Sequence, residues 1–186
     1  MQLCRPGHVL NPGDRPAPPV WALEEQRTLW AWNTSEFLAF LREQDIDTVY
    51  LQLPPSLIGP VEDFDPERDA EDLRDLLRQL SSIGVSTLAL DGAAEYALPD
   101  HHDVVERTIH NVTRYNEAVD PAERFVGLHY DVEPCLLAEY SGAARWPILR
   151  GYLRLLECAH GLSQSADLIF QVAIPFGNEP MRILSD

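Results

Sequence analysis

An α/β fold built on a parallel sheet is what this sequence predicts, and three observations carry the prediction. Segments rich in β-branched and aliphatic residues begin near residues 28, 48, 85, 125 and 168, and four stretches of helical periodicity separate them. Strand and helix alternating in this way make βαβ units, whose crossovers are right-handed. Polar residues also gather where the strands end, at Trp32-Asn33, Gln52, Asp91, His129 to Glu133 and Pro175-Phe176-Gly177-Asn178. Parallel α/β enzymes keep their chemistry at that edge. No GxGxxG or GxxxxGK[ST] run marks a nucleotide site at a switch point, so a (β/α) TIM-barrel-like architecture is expected in preference to a doubly wound sheet. A closed barrel takes eight strands and about 200 residues or more. About five parallel strands and four helices can be read here, so the expectation is a partial barrel, either the N-terminal part of a longer one, which is favoured, or a complete protein with a reduced sheet.

In chain order, residues 1–26 form a Pro-rich leader, with Pro6, Pro12, Pro16, Pro18 and Pro19 among them, and residues 27–186 form a single barrel-like domain. Thr28 to Trp32 reads as the first strand. Asn33 and Thr34 are capping residues, and Phe37, Leu38 and Leu41 give Ser35 to Gln44 a helical face. Thr48 to Leu53 is the second strand, closed by Pro54-Pro55. Asp65-Pro66 pairs a cap with a first-turn proline. The helix that follows has an apolar stripe of Ala70, Leu73, Leu76, Leu77, Leu80 and Ile83, with Glu71, Arg74, Asp75 and Arg78 at solvent positions and Gly84 as its stop. Val85 to Asp91 is the third strand, and a helix from about His102 to Ala118 turns Val105, Ile109 and Val112 inward. His101-His102 reads as a solvated helix start. Pro121 precedes the fourth strand. Trp146-Pro147 opens the last helix, which buries Ile148, Leu149, Tyr152, Leu155, Leu156 and Ala159 and stops at Gly161, before a fifth strand from Leu168 to Ile174.

Composition narrows the function classes. The chain has 186 residues, 45% hydrophobic and 9% aromatic, which are globular values. Thirty acidic residues against 14 basic ones, all arginine, give a formal charge of -16. Such a surface argues against nucleic acid and anionic membranes as partners, because both attract positive fields. Neutral substrates fit better. Cys4, Cys135 and Cys158 show no CxxC spacing, so neither a disulfide framework nor a zinc site is expected, and no cofactor is implied. No apolar stretch has the length of a signal peptide or approaches the ~18 residues of a membrane span. The expectation is a cytoplasmic protein, or a secreted one if the N-terminus is misassigned.

The candidate site is Phe125-Val126-Gly127-Leu128-His129-Tyr130-Asp131-Val132-Glu133-Pro134. Successive strand residues point to opposite faces, so His129, Asp131 and Glu133 share one face while Tyr130 and Val132 take the other. Carboxylates two residues apart lie roughly 6 to 7 Å apart along a strand. Like charges at that range raise one pKa, and a raised carboxyl suits a general acid. Glycosidic hydrolysis is the common use of such a pair.

The run Gly127 to Glu133 resembles the DGxDxDxE signature on the fourth strand of family 18 glycoside hydrolases, the chitinase group, and more loosely glycosidase-like barrels with a DxEP fourth strand. Gly127, Asp131 and Glu133 match. Val126 stands where that family has its opening aspartate, and His129 where it has the first aspartate of DxDxE. The resemblance implies Glu133 as general acid/base, and Asp131 in support, orienting a substrate acetamido group. Trp32, Asn33, Gln52, Asp91, His129 and Tyr140 are the expected substrate-binding residues, with Trp30, Tyr50 and Trp146 as further candidates for stacking or for lining a cleft.

Two other readings stand beside the hydrolase. One is a non-catalytic carbohydrate-binding or interaction protein from a degenerate barrel. The other is a metal-dependent hydrolase using His129, Asp131 and Glu133, assisted by Asp91 and His101-His102. An open sheet edge also leads to the expectation of a homo-oligomer.

Overall fold

A computed structural model describes residues 34–58 and 70–174. The leader, the expected first strand with Trp30, Trp32 and Asn33, the Asp65-Pro66 helix start and the Pro175 to Asn178 segment lie outside the described residues. The elements run α1 (Thr34–Glu43), β1 (Thr48–Gln52), α2 (Pro55–Ile58), α3 (Glu71–Ser82), β2 (Ser86–Asp91), α4 (His102–Ala118), β3 (Gly127–Asp131), α5 (Arg145–Ser165) and β4 (Ile169–Ala173). Four strands and the helices between them thus follow the predicted alternation. Among the described helices none is long and apolar enough to cross a membrane.

The strands form one parallel sheet in the order β1-β2-β3-β4. Each strand pairs with its predecessor and the order never reverses, so these strands contain no switch point of the doubly wound kind. In-register neighbours in a parallel sheet point to the same side, so the pairing sorts the side chains into two faces. Leu51, Ala89, Asp91, Leu128 and Tyr130 belong to one face, and all are buried. Tyr50, Gln52, His129, Asp131 and Ile169 belong to the other, where most residues are half-buried or exposed and Leu88 and Gly127 are buried.

Helix stripes supply the cover for the buried face. In α3, Leu73, Leu76, Leu77 and Leu80 recur on one side and are buried. Burying each such side chain stabilises the fold by about 1.5–3 kcal/mol. Val105, Ile109, Val112 and Tyr115 do the same in α4, and Ile148, Tyr152, Leu155 and Ala159 in α5. Gly84 ends α3 as expected: its φ of 79° lets the Val85 amide turn back to the Leu80 carbonyl at 3.0 Å.

Three expectations need correction. Gly161 does not stop α5, which runs on to Ser165 because Ser163 extends its buried face, and Asp167, at φ 56°, makes the turn instead. His101 and His102 are half-buried, and His102 Nε2 is buried without a hydrogen-bond partner, so the start of α4 is not simply solvated. Arg74 and Arg78 are not idle solvent-facing charges: both reach Glu123, in the turn before β3.

That turn is anchored by side chains from two helices. Glu123 is 1% exposed and accepts from Arg74 Nε at 2.8 Å and Arg78 Nε at 3.0 Å, with a further contact from Arg78 Nη2. Tyr115 donates its hydroxyl proton to the Glu123 carbonyl at 3.0 Å. One residue past Arg124, the Asn116 side chain donates to the Phe125 carbonyl at 2.8 Å and accepts from the Phe125 amide at 3.0 Å. The start of β3 is therefore pinned by α3 and α4 together.

Candidate functional site

On the face that carries Tyr50, register aligns Gln52, Leu90, His129 and Gln171 in one row, one residue from each described strand. The row below it is Tyr50, Leu88, Gly127 and Ile169, and the row above includes Asp131 and Ala173. Three of the four members of the central row are polar, and the carboxylate of Asp131 stands over them at the carboxyl end of β3.

Tyr50 ties the face together. Its hydroxyl donates to Gln171 Oε1 at 2.9 Å, and its ring lies against the His129 imidazole, centroids 4.2 Å apart and planes inclined by 43°. Tyr50 is on β1 and Gln171 on β4, and Gln171 sits two residues beyond the row of Tyr50. The edge strands of a flat four-stranded sheet stand about 14 Å apart, which with that stagger exceeds the joint reach of the two side chains. The face is therefore concave. Tyr50 keeps 45% of its surface exposed, leaving an aromatic face open beside the polar row. His129 Nδ1 is buried without a hydrogen-bond partner.

Gly127, one of the residues matched to the signature, has a local physical reason. A β-carbon there would stand 2.2 Å from the Ile169 carbonyl oxygen and 2.6 Å from the Ile169 β-carbon, so β4 approaches too closely for any side chain.

His129, Asp131 and Glu133 keep the predicted alternation: they are half-buried or exposed, while Leu128, Tyr130, Val132 and Pro134 between and around them are buried. The strand itself is shorter than expected. It ends at Asp131, and Glu133, at φ -110° and ψ 81°, leads into a 3-10 turn over Pro134–Leu136. Proline at the first position of that turn removes the amide that would have continued the ladder. Behind Asp131, burial raises the pKa of the Tyr152 phenol, with the Asp131 charge as a second cause.

Asp91 does not join the row. It pairs in register with Tyr130, so it lies on the helix-covered face, 4% exposed. Its carboxylate accepts from the Gly92 amide at 2.8 Å and faces the Tyr96 hydroxyl at 3.4 and 3.5 Å. Burial raises its pKa, partly offset by the bonds from Gly92, Tyr96 and Thr108. Burial and the Asp91 charge push Tyr96 up to about 12, and burial carries Tyr130 well above its ordinary value. The expectation that Asp91 contacts substrate on the site face is thus corrected by one residue of phase: on a period of two, Leu90 rather than Asp91 takes that face.

Gln52 is exposed at the end of β1 and belongs to the row. Tyr140 is half-buried in the loop after β3, where the Arg145 guanidinium stands 5.5 Å from its ring centre. Trp146, 54% exposed, opens α5. Gln171 escaped the sequence reading, although a glutamine inside Ile169-Phe170-Gln171-Val172-Ala173 was a visible signal: one polar residue in an otherwise apolar strand.

Among the described residues no three His, Cys, Asp or Glu side chains group to hold a metal ion. Asp91 stands on the opposite face from His129, which removes one of the ligands the metal reading needed. A cleft of ≈ 220 Å³ lies at the other end of the strands, lined by Leu77, Ser81, Val85, Thr87, Pro121 and Val126, and includes no residue of the row. No protein-family model, curated protein or solved structure matches the chain.

Proposed function

We propose that this chain is a glycoside-hydrolase-like protein, with a sheet that forms part of a (β/α) barrel, and that it cleaves a glycosidic bond with Glu133 as general acid/base and Asp131 in support. The observation that carries the reading is the polar row His129, Gln52 and Gln171 on the concave face, with Asp131 above it and Glu133 two residues further on. Four parallel strands in unreversed order, with side-chain chemistry at their carboxyl ends, are what a barrel segment presents. A surface with a formal charge of -16 suits a neutral substrate such as a sugar.

In this reading Glu133 gives its proton to the glycosidic oxygen as the bond to the anomeric carbon breaks. The alcohol leaves, and water adds to the sugar and returns a proton to Glu133. Asp131 bears its negative charge where positive charge develops on the sugar ring. The open face of Tyr50 offers a stacking platform for the apolar side of a pyranose, and Gln171, whose Oε1 is engaged by Tyr50, keeps its amide protons for sugar hydroxyls.

Glu133→Gln is the test, on a panel of aryl glycosides and oligosaccharides. The amide keeps the shape and cannot donate the proton, so turnover is expected to fall at least about 100-fold, with sugar binding retained. Unchanged turnover rejects the assignment. A wild-type chain that binds sugars and turns over none selects the non-catalytic carbohydrate-binding reading, which the exposed Tyr50 ring also supports.

A further inference from the structure

We propose that Asp91 and Gly92 are positioning residues for Asp131, acting from the face of the sheet opposite the candidate site. The role in catalysis rests on the hydrolase reading above; the mechanical link does not. A carboxyl group buried to 4% exposure is ordinarily matched to a cation, yet the groups that act on Asp91 are the Gly92 amide, the Tyr96 hydroxyl and Thr108. The shortest of these contacts is with the next residue in the chain, at 2.8 Å.

Gly92 is where the link crosses to β3. In register it follows the Asp91–Tyr130 pair and so stands beside Asp131. Neighbouring strands in a regular sheet keep about 4.8 Å between their backbones. A β-carbon on Gly92 would come within 2.1 Å of the Asp131 carbonyl oxygen, 2.6 Å of its carbonyl carbon and 2.9 Å of its amide nitrogen. The α-carbon of Gly92 therefore rests on the Asp131 peptide. The Asp91 side chain holds the Gly92 peptide, and Gly92 is the stop against which the last residue of β3 sits.

Asp131 is exposed and ends its strand, where its backbone is flanked by Ala173 of β4 and by Gly92. The start of β3 is clamped through Glu123 and Asn116, and its end lies between Ala173 of β4 on one side and Gly92 on the other, so Gly92 bounds the position of Asp131 from the β2 side. Asp91 is thus turned away from the substrate face and still sets where the Asp131 carboxylate stands.

Three variants of the full chain, Gly92→Ala, Asp91→Ala and Asp91→Asn, test the link through two readouts: the amide resonance of Asp131, and kcat and KM on the glycoside identified with Glu133→Gln. Gly92→Ala is expected to shift the Asp131 amide and lower kcat about tenfold or more with KM little changed, since small displacements of a reacting group act on kcat. Asp91→Ala should shift the same resonance. Asp91→Asn should restore it, because the carboxamide oxygen still accepts the Gly92 proton. An Asp131 amide unmoved in Gly92→Ala, or Asp91→Asn displaced as far as Asp91→Ala, overturns the proposal. If Gly92→Ala fails to fold, the two Asp91 variants decide alone, as neither adds bulk. A wild-type chain without turnover rejects the hydrolase reading while the resonances still judge the positioning.

Discussion

Glu123 and Asp91 are both carboxylates excluded from water, at 1% and 4% exposure, and they sit at opposite ends of the sheet in opposite electrostatic states. Glu123 precedes β3 at the edge where strands begin. Burial pushes its pKa up, but hydrogen bonds and charges from Arg74 and Arg78 together outweigh burial and hold it below the usual range. Asp91 ends β2 at the edge where strands finish. It has hydroxyl and amide partners only, so burial prevails and its pKa rises. What separates the two is the neighbour, since desolvation acts on both. The edge that carries the paired carboxylate is the one built for stability, and the edge that carries the unpaired one lies behind the candidate site.

The largest effect that would sharpen this contrast is expected from Glu123→Gln. It removes the charge that two arginines converge on while keeping the volume. Because Arg74 and Arg78 remain part-exposed, the loss is expected at about 2 kcal/mol, below the 3–5 kcal/mol of a fully buried pair. Denaturant unfolding measures it, and a loss under about 0.5 kcal/mol would show that the clamp adds nothing.

The next effect is one of sign with pH. A lowered folded pKa contributes stability above the ordinary glutamate value and loses it as pH falls through the folded one, so Glu123 should cost stability on acidification below about pH 4.5. A raised folded pKa acts the other way. Asp91 takes up its proton more readily in the folded chain, so its penalty is present above its folded pKa and disappears as pH falls towards the ordinary aspartate value near 3.8. Unfolding free energies measured across this range should lose the acid-side fall in Glu123→Gln and the acid-side gain in Asp91→Asn. Equal slopes in both variants would break the comparison.

Smallest is Ser163→Ala. Ser163 is 0% exposed and its hydroxyl is buried without a hydrogen-bond partner, whereas the buried Asp91 carboxylate lacks a cation but has hydrogen bonds. Its removal should be neutral or stabilising by about 0.5–1 kcal/mol in thermal unfolding. A clear loss of stability would mean that the hydroxyl has a partner.

Much of the fold was legible because its signals are local. The stripe of α3, the glycine that ends it and the span His102 to Ala118 follow from periodicity and backbone chemistry alone. So did the alternation that puts His129 and Asp131 on the side opposite Tyr130. The error at Gly161 has the same origin, since a glycine ends a helix only where the chain needs to turn, and the buried Ser163 carried the helix past it.

The sequence by itself determined the alternation of strand and helix and the polar end of β3, because each depends on residues within a few positions of one another, and a parallel sheet follows from that alternation because each helix returns the chain to start the next strand in the same direction. Tertiary structure alone decided which strand faces share a row, bringing Tyr50 to Gln171 across 121 positions, and which carboxylate is paired, bringing Arg74 and Arg78 to Glu123 across 49 and 45. Register converts a one-residue difference into opposite faces, which is why Asp91 lies on the face away from His129 and Gln171 lies in its row. A charge pattern records which residues could pair; only packing determines which ones do.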